Sequence, residues 1–181
     1  LLARRDMLIQ ARTGSGKTGA FLLPMVERLD PAAPTCQALI LVPTRELARQ
    51  VWQEAETLCG EVGLRHAVIY GGVGYGAQID ALREGAHIVV GTPGRILDHL
   101  LKRTLSLDHL EMLIFDEADR MLSMGFYPDM KQIQRHLPGR KLHTSMFSAT
   151  FPDFIQRIAR EFIRTPEFLT LSQDHVHVTD T

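Results

Sequence analysis

The stretch Ala11-Arg12-Thr13-Gly14-Ser15-Gly16-Lys17-Thr18 decides the fold of this 181-residue chain. A short apolar run over residues 7–9 precedes it and an apolar-periodic segment over 19–29 follows, so its context is a strand, a tight turn and a helix. The glycines let backbone N–H groups approach an anion, and the helix N-terminus adds its positive dipole end. Lys17 can reach the β- and γ-phosphates, and Thr18 can bind Mg²⁺. The stretch therefore predicts a nucleoside-triphosphate site.

The rest of the chain alternates strand-length apolar runs with helical periodicity. We predict strands over residues 7–10, 38–42, 66–70, 87–91, 112–116, 142–147 and 167–171. We predict helices over 17–29, 45–59, 76–83, 93–102, 129–136 and 153–162, the first kinked at Pro24. Nearly unbroken Val/Ile/Leu strands are typical of a parallel sheet covered on both faces. The fold class is α/β: a doubly wound three-layer sandwich with a mostly parallel sheet of about seven strands.

Composition excludes several classes of protein. The formal net charge is −1, so nucleic-acid binding would need a local arrangement of charge. Two cysteines without CxxC spacing, Cys36 and Cys59, suit a reducing compartment, and the chain has no apolar run long enough to cross a bilayer. We expect a cytoplasmic protein, and both ends read as cuts from a longer one.

An acidic junction follows the predicted strand over residues 112–116. Ligands of an open α/β sheet gather at the carboxyl ends of its strands, so Asp116, Glu117 and Asp119 would lie at the binding edge. In a protein with a phosphate loop, Asp116 fits the residue that holds Mg²⁺, and Glu117 can polarise the attacking water. The alternative is a solvated acidic turn that caps the next helix.

Three other junctions combine helix N-termini with glycines and arginines. Arg45 and Arg95 fall in first helical turns, where a cation opposes the helix dipole unless an anion docks there. The junctions predict a track for a phosphodiester backbone, whereas local pairing of each arginine with an acid is the alternative. The residues are Pro43, Thr44 and Arg45, then Gly71 and Gly72, then Thr92, Pro93, Gly94 and Arg95, with Thr44 and Thr92 as candidate N-caps.

Two further groups of residues are explained by ordinary structural roles. Ser148 and Thr150 follow the sixth predicted strand, where hydroxyls are most simply helix caps. The histidines lack metal-ligand spacing and are better explained as surface or packing residues, and Trp52 as a packing residue rather than a base-stacking platform. A phosphate-loop GTPase or small-molecule kinase would need a guanine-selecting Asn-Lys-x-Asp element or a lid with substrate arginines; the chain has no Asn-Lys-x-Asp element and contains no asparagine.

Together these motifs resemble the first RecA-like domain of DEAD-box ATP-dependent RNA helicases, with a bacterial source expected. The resemblance covers essentially the whole chain, and the motifs follow the family's order. They are residues 11–18, Pro-Thr-Arg-Glu-Leu-Ala (43–48), Gly-Gly (71–72), Thr-Pro-Gly-Arg (92–95), Asp-Glu-Ala-Asp (116–119) and Ser-Ala-Thr (148–150). Ala11, which departs from the general phosphate-loop pattern, matches this family.

The resemblance implies a role for each motif. Lys17 and Thr18 would bind phosphates and Mg²⁺ of ATP, Asp116 would hold Mg²⁺ through water, and Glu117 would be the catalytic base. The remaining residues fall into two groups: Asp119, Ser148 and Thr150 would couple nucleotide state to domain closure, and Pro43–Arg45, Gly71, Gly72 and Thr92–Arg95 would contact the RNA backbone.

The resemblance also implies parts outside this chain. Residues 1–171 would be the ATP-binding domain without its upstream adenine-reading glutamine, which Gln10 is not, and 172–181 would begin a linker to a second RecA-like domain. Because that domain supplies arginine fingers, we expect the chain alone to be a nearly inactive monomer. The family resemblance leaves two activities open, RNA unwinding and an ATP-gated RNA clamp that separates little duplex.

Overall fold

The structure is a computed structural model that describes residues 5–12, 17–171 and, for the backbone, 176–179. Its strands are β1 (Met7–Gln10), β2 (Ala38–Leu41), β3 (His66–Ile69), β4 (Ile88–Gly91), β5 (Met112–Phe115), β6 (His143–Ser148), β7 (Glu167–Leu171) and β8 (Val176–Thr179). Its helices are α1 (Lys17–Arg28), α2 (Arg45–Cys59), α3 (Gly76–Arg83), α4 (Pro93–Leu101), α5 (Ala118–Ser123), α6 (Tyr127–Gln134) and α7 (Asp153–Phe162), with a 3-10 turn at Gly60–Val62.

The strands form one sheet in the order β3-β4-β2-β5-β6-β1-β7-β8. Strands β1 to β7 pair in parallel, and β8 pairs antiparallel with β7. The mostly parallel sheet of the sequence analysis is therefore confirmed. Strand β8 is not predicted, because its residues lie in a stretch whose polar composition indicates a linker; the domain assignment itself stays a prediction.

Two apolar cores cover the two faces of the sheet. Alternate residues of each buried strand point to opposite faces, so Leu39 and Leu41 join one core while Ala38 and Ile40 join the other. Helices α4 to α7 contribute apolar side chains to the first core, and α1 and α2 contribute to the second. This arrangement makes the three-layer sandwich that the sequence predicts.

Helix α1 runs from Lys17 to Arg28 and includes Pro24, within a residue of the predicted range. Two other helices differ from the predictions. Helix α6 begins at Tyr127, two residues before the predicted start, because Pro128 suits its first turn. Helix α5 is not predicted, since its six residues are too few to show a clear helical period. Among the described residues, no helix is long and apolar enough to span a bilayer.

Candidate functional site: two sides of one sheet edge

The described residues of the motifs lie at the edge formed by the carboxyl ends of the parallel strands. Strand order divides them into two neighbouring groups. We call the carboxyl ends of β1, β6 and β5 the acidic side, because Asp116, Glu117 and Asp119 follow β5. We call the ends of β2, β4 and β3 the arginine side, because Arg45 and Arg95 lie there. Strands β2 and β5 are neighbours, so the two sides adjoin.

The acidic side is centred on a buried ion pair. Lys17 Nζ lies 2.9 Å from Asp116 Oδ1, and the two side chains are 6% and 0% exposed. Burial raises the pKa of Asp116 above its ordinary value, and the nearby Lys17 ammonium partly offsets that effect. The first residue of α1 and the residue after β5 are thus brought together, as a shared nucleotide site requires.

The donors around this pair suit a magnesium ion. Asp116 Oδ2 is buried and accepts no hydrogen bond within the part of the chain that the structure describes. A buried carboxylate oxygen without a donor is the kind of hard ligand that Mg²⁺ prefers, directly or through water. Thr18 follows Lys17 in the first turn of α1 and supplies a hydroxyl. The residues present therefore fit the metal.

The phosphate loop is described at its two ends. Ala11 is buried, and its N–H donates to the Ser148 carbonyl at 3.0 Å, which ties the start of the loop to the end of β6. Arg12 is exposed and Lys17 opens α1. The predicted phosphate-binding residues Thr13, Gly14, Ser15 and Gly16 lie outside the described residues.

Glu117 has an unusual backbone for a residue with a side chain. Its φ and ψ are 53° and 52°, in the left-handed region that non-glycine residues seldom enter. Its side chain is largely buried, with Oε2 3.5 Å from Arg120 Nη1. Strained backbone persists where the surrounding structure enforces it, often at active sites. Asp116 is buried, so the alternative of a solvated acidic turn is wrong for that residue.

Asp119, Ser148 and Thr150 form one hydrogen-bonded group. Ser148 Oγ accepts from the Asp119 N–H at 3.2 Å and donates to the Thr150 carbonyl at 2.7 Å, and Thr150 Oγ1 donates to Asp119 Oδ2 at 3.1 Å. Ser148 does cap a helix, but the helix is α5, which precedes it by thirty residues, and not α7. Thus the hydroxyls after β6 join the acidic junction after β5.

Arg45, at the start of α2, crosses to the loop after β3. Its Nη2 donates to the Gly71 carbonyl at 3.2 Å, and its guanidinium lies 5.3 Å from the centre of the Tyr70 ring. Gly72 has a φ of +82°, and a side chain there would run into Arg45 Nη2. The turn needs glycine for both reasons.

Arg95, in the first turn of α4, contacts the same loop. Its Nη1 donates to the Val73 carbonyl at 2.9 Å and to Gln78 Oε1 at 3.2 Å, and its guanidinium lies 3.9 Å from the centre of the Tyr75 ring. Within the described residues, neither Arg95 nor Arg45 forms a salt bridge with an acid. The alternative of local acidic pairing therefore does not account for these arginines.

The helix starts on the arginine side are only partly as predicted. Thr44 is an N-cap whose Oγ1 accepts from the Leu47 N–H at 3.2 Å. Thr92 occupies the N-cap position of α4 without a side-chain capping bond, which leaves its hydroxyl available, and Pro93 is the first helical residue. Pro43 is buried, and Gly94 is partly exposed in the first turn of α4.

Sequence reasoning missed the residues that hold the arginines. Tyr70, Tyr75, Gln78 and His99 were not singled out for the arginine side, yet each contacts an arginine or its support. The sequence contains one clue to these contacts, at Gln78. This polar residue shares one face of α3 with the apolar residues Ala81 and Leu82. His99 is completely buried and hydrogen-bonded, as a packing role implies. Among the described residues, no cluster of three or more His, Cys, Asp or Glu could hold a metal by itself.

The fold and site define the class: a RecA-like α/β domain. A family model described as "DEAD/DEAH box helicase" matches residues 1–158. The chain therefore belongs to the DEAD/DEAH box helicase family.

Known proteins of similar sequence and structure agree with this assignment. The chain is 48% identical over 170 residues to the ATP-dependent RNA helicase CshA of Listeria monocytogenes, covering 94% of this chain and 32% of that protein. It is 48% identical over 168 residues to the ATP-dependent RNA helicase DeaD of Escherichia coli, covering 92% and 27%. Among solved structures, a DEAD box protein of Methanococcus jannaschii matches with a TM-score of 0.87 and 44% identity, over 93% of this chain and 46% of that one. The chain thus spans about a third of the length of these curated relatives.

Proposed function

We propose that this chain is the N-terminal half of an ATP-dependent RNA helicase core. It binds Mg²⁺-ATP on the acidic side and the sugar-phosphate backbone of RNA on the arginine side. Joined to a second RecA-like domain of the same protein, it uses ATP hydrolysis to unwind short RNA duplexes or remodel RNA–protein complexes. The observation that best supports this proposal is the 2.9 Å contact between Lys17 and Asp116, which joins the phosphate loop to the acidic motif.

On the acidic side, residues 11–18 cradle the phosphates and Lys17 binds the β- and γ-phosphates. Thr18 and Asp116 would hold Mg²⁺, largely through water, and the bound ion would supply positive charge beside the transferred phosphoryl group. Glu117 orients the attacking water and accepts its proton, and the enforced backbone of this residue keeps its carboxylate near the Asp116 junction.

On the arginine side, the donors are suited to phosphate and sugar. In the part of the chain that the structure describes, Arg45 and Arg95 form no salt bridge with an acid, and three loops present helix N-termini and glycine backbone along the same edge. Because such contacts do not read base edges, the RNA sequence preference is weak. The contacting residues are Pro43, Thr44, Arg45, Gly71, Gly72, Thr92, Pro93, Gly94 and Arg95.

Asp119, Ser148 and Thr150 couple the two activities. Their hydrogen bonds join the end of β6 to the acidic motif after β5, beside the carbonyl that holds Ala11. A nucleotide that moves the phosphate loop would therefore move this group. The second RecA-like domain closes over it and supplies arginine fingers, which contribute about 10³–10⁵-fold in phosphate-loop NTPases.

The test is RNA-stimulated ATP hydrolysis by the protein that includes the second domain. Glu117→Gln should lower turnover by roughly 10²–10³-fold, as expected when one preorganised catalytic group is lost, while affinity for a fluorescent ATP analogue is retained. Glu54→Gln, on the exposed face of α2, is the matched control and should keep full turnover. Equal turnover of the two variants would contradict the assignment of Glu117.

A second comparison addresses the isolated chain and the choice between unwinding and clamping. The chain alone should hydrolyse ATP very slowly, and full helicase-like turnover by it would contradict the need for a second domain. With both domains present, a strand-displacement assay beside RNA-release kinetics separates the activities. Rapid displacement indicates a helicase, whereas slow RNA release with little displacement indicates an ATP-gated clamp.

A further inference from the structure

Gln78 is a buried polar residue that contacts both outer loops of the arginine side. It lies on α3 and is only 6% exposed. Its Nε2 donates to the Tyr70 carbonyl at 2.9 Å, immediately before Gly71 and Gly72. Its Oε1 accepts from Arg95 Nη1 at 3.2 Å, and thus one side chain joins the loop after β3 to the first turn of α4.

The buried side chain of His99 also contacts the Gln78 side-chain amide. Because Nε2 of Gln78 faces a carbonyl, Oε1 must be the acceptor, so His99 Nε2, 2.9 Å away, carries its proton. His99 Nδ1 is then free to accept from Thr104 Oγ1 at 2.7 Å. Burial is the main cause that lowers the pKa of His99, with Arg95 and Lys102 contributing, which favours this neutral ring. The hydrogen bonds therefore fix the orientation of the Gln78 amide.

Arg95 is held from several directions. Besides Gln78, Nη1 bonds the Val73 carbonyl, and the guanidinium lies over the Tyr75 ring. Tyr75 is itself anchored by donation of its hydroxyl to Asp98 Oδ2 at 2.8 Å. The other guanidinium N–H groups of Arg95 donate no hydrogen bond within the described residues, so they remain available to a ligand. An arginine fixed in this way loses little side-chain freedom on binding.

We propose that Gln78 is a positioning residue for RNA binding. It orients Arg95 and fixes the distance between the Tyr70–Gly71 peptide and the start of α4, so that both loops bind one RNA backbone without rearrangement. This inference depends on the proposed RNA-binding function of the arginine side. Gln78 itself is buried and acts through Arg95 and the loop.

A double-mutant cycle tests the inference in the protein that includes the second domain. The variants are Gln78→Leu, Arg95→Ala and their combination, and the measurement is fluorescence anisotropy of a labelled oligo(U) RNA with a non-hydrolysable ATP analogue. Gln78→Leu should weaken RNA binding by about three- to tenfold, and the loss in the double variant should fall short of the product of the two single losses, because the part of the effect that acts through Arg95 is already gone. Losses that multiply in the double variant would overturn the positioning role.

The controls distinguish the positioning role of Gln78 from the RNA-binding function on which that role depends. If Arg95→Ala leaves RNA affinity unchanged, the arginine track itself is refuted; if only Gln78→Leu is without effect, the positioning role alone is refuted. Gln134→Leu is a matched control, because Gln134 Nε2 donates to the Glu161 carbonyl at 2.7 Å, on helices α6 and α7 away from the loops. It should keep full RNA affinity.

A second variant remains informative if Gln78→Leu folds poorly. Gln78→Glu keeps the size of the side chain and an acceptor for Arg95, but its charge competes with phosphate for that arginine. It should weaken RNA binding and make the salt dependence of the affinity shallower, with affinity for the ATP analogue unchanged. Unchanged RNA affinity in this folded variant would overturn the proposal.

Discussion

The acidic and arginine sides occupy one sheet edge but are built in different ways. On the acidic side, Lys17 and Asp116 are almost completely buried and neutralise each other directly. On the arginine side, Arg45 and Arg95 are partly exposed and bond backbone carbonyls beside tyrosine rings. The first side concentrates opposite charges in a small volume, whereas the second places one arginine at each of two helix starts, both in contact with the loop after β3.

This difference follows from the ligands that the two sides suit. A triphosphate with its metal is compact and highly charged, so a few buried groups of opposite sign can bind it and exclude water. An RNA backbone is extended and presents one charge per phosphate, so shallow, separate donors are sufficient. A salt bridge to an acid would compete with phosphate for these arginines, and within the described residues neither Arg45 nor Arg95 forms one.

The largest expected effect concerns the buried ion pair. Lys17→Met leaves the Asp116 carboxylate buried without its cation, which should reduce the free energy of unfolding by about 3–5 kcal/mol at neutral pH. Because the pKa of Asp116 is already raised in the folded state, the loss should shrink in acid, where the carboxyl is protonated, and grow as pH rises. Urea unfolding at several pH values measures it.

A second variant provides the control for that prediction. Asp116→Asn in the Lys17→Met background removes the unpaired charge and should recover most of the lost stability. Equal stability of the single and double variants would mean that Lys17 and Asp116 do not form a buried ion pair in solution. The acidic side would then not differ from the arginine side in the way described above.

An intermediate effect is expected from Gly72. Gly72→Ala places a Cβ against Arg45 Nη2 in a turn with positive φ, so the arginine must move. RNA affinity should fall about tenfold, the size expected for loss of one charge-assisted hydrogen bond, while ATP-analogue affinity is kept. Gly74→Ala is the matched control, because nothing lies within 4 Å of its added Cβ. Similar RNA affinities for the two variants would contradict the role of the Arg45–Gly72 contact.

The smallest effect expected from a single residue is the contribution of one buried histidine to the pH dependence of stability. Burial is the main cause that lowers the pKa of His66, His87, His99 and His143 below 6.5 in the folded protein. The unfolded chain takes up protons first as pH falls below 6.5, so stability should decline toward pH 5 by at most about 1.4 kcal/mol per pH unit for each histidine.

His87→Asn isolates one of these contributions. His87 Nδ1 accepts from the Arg65 N–H at 2.8 Å, and an asparagine oxygen can accept the same bond without titrating. The variant should show a shallower loss of stability in acid, measured by thermal unfolding between pH 7 and 5. An unchanged dependence of stability on pH would show that His87 does not contribute to the loss of stability in acid.

Much of this molecule could be predicted because its signals are local. The seven strands from β1 to β7 were predicted within about a residue at each end, since buried parallel strands are short apolar runs between turn residues. The contact between Lys17 and Asp116 could be predicted because their motifs lie directly beside strand ends. Helix α5 and strand β8 were missed, because one is short and the other is polar in composition.

The sequence by itself determined the layers, the edge that carries the motifs and the family, because apolar period and motif spacing are properties of neighbouring residues. Only the tertiary structure decided the strand order that separates the acidic side from the arginine side. It also decided that Ser148 caps α5, and that Gln78 and His99 lie behind Arg95. These contacts join residues far apart in the chain, and their geometry depends on which strands pair and how the helices pack on them.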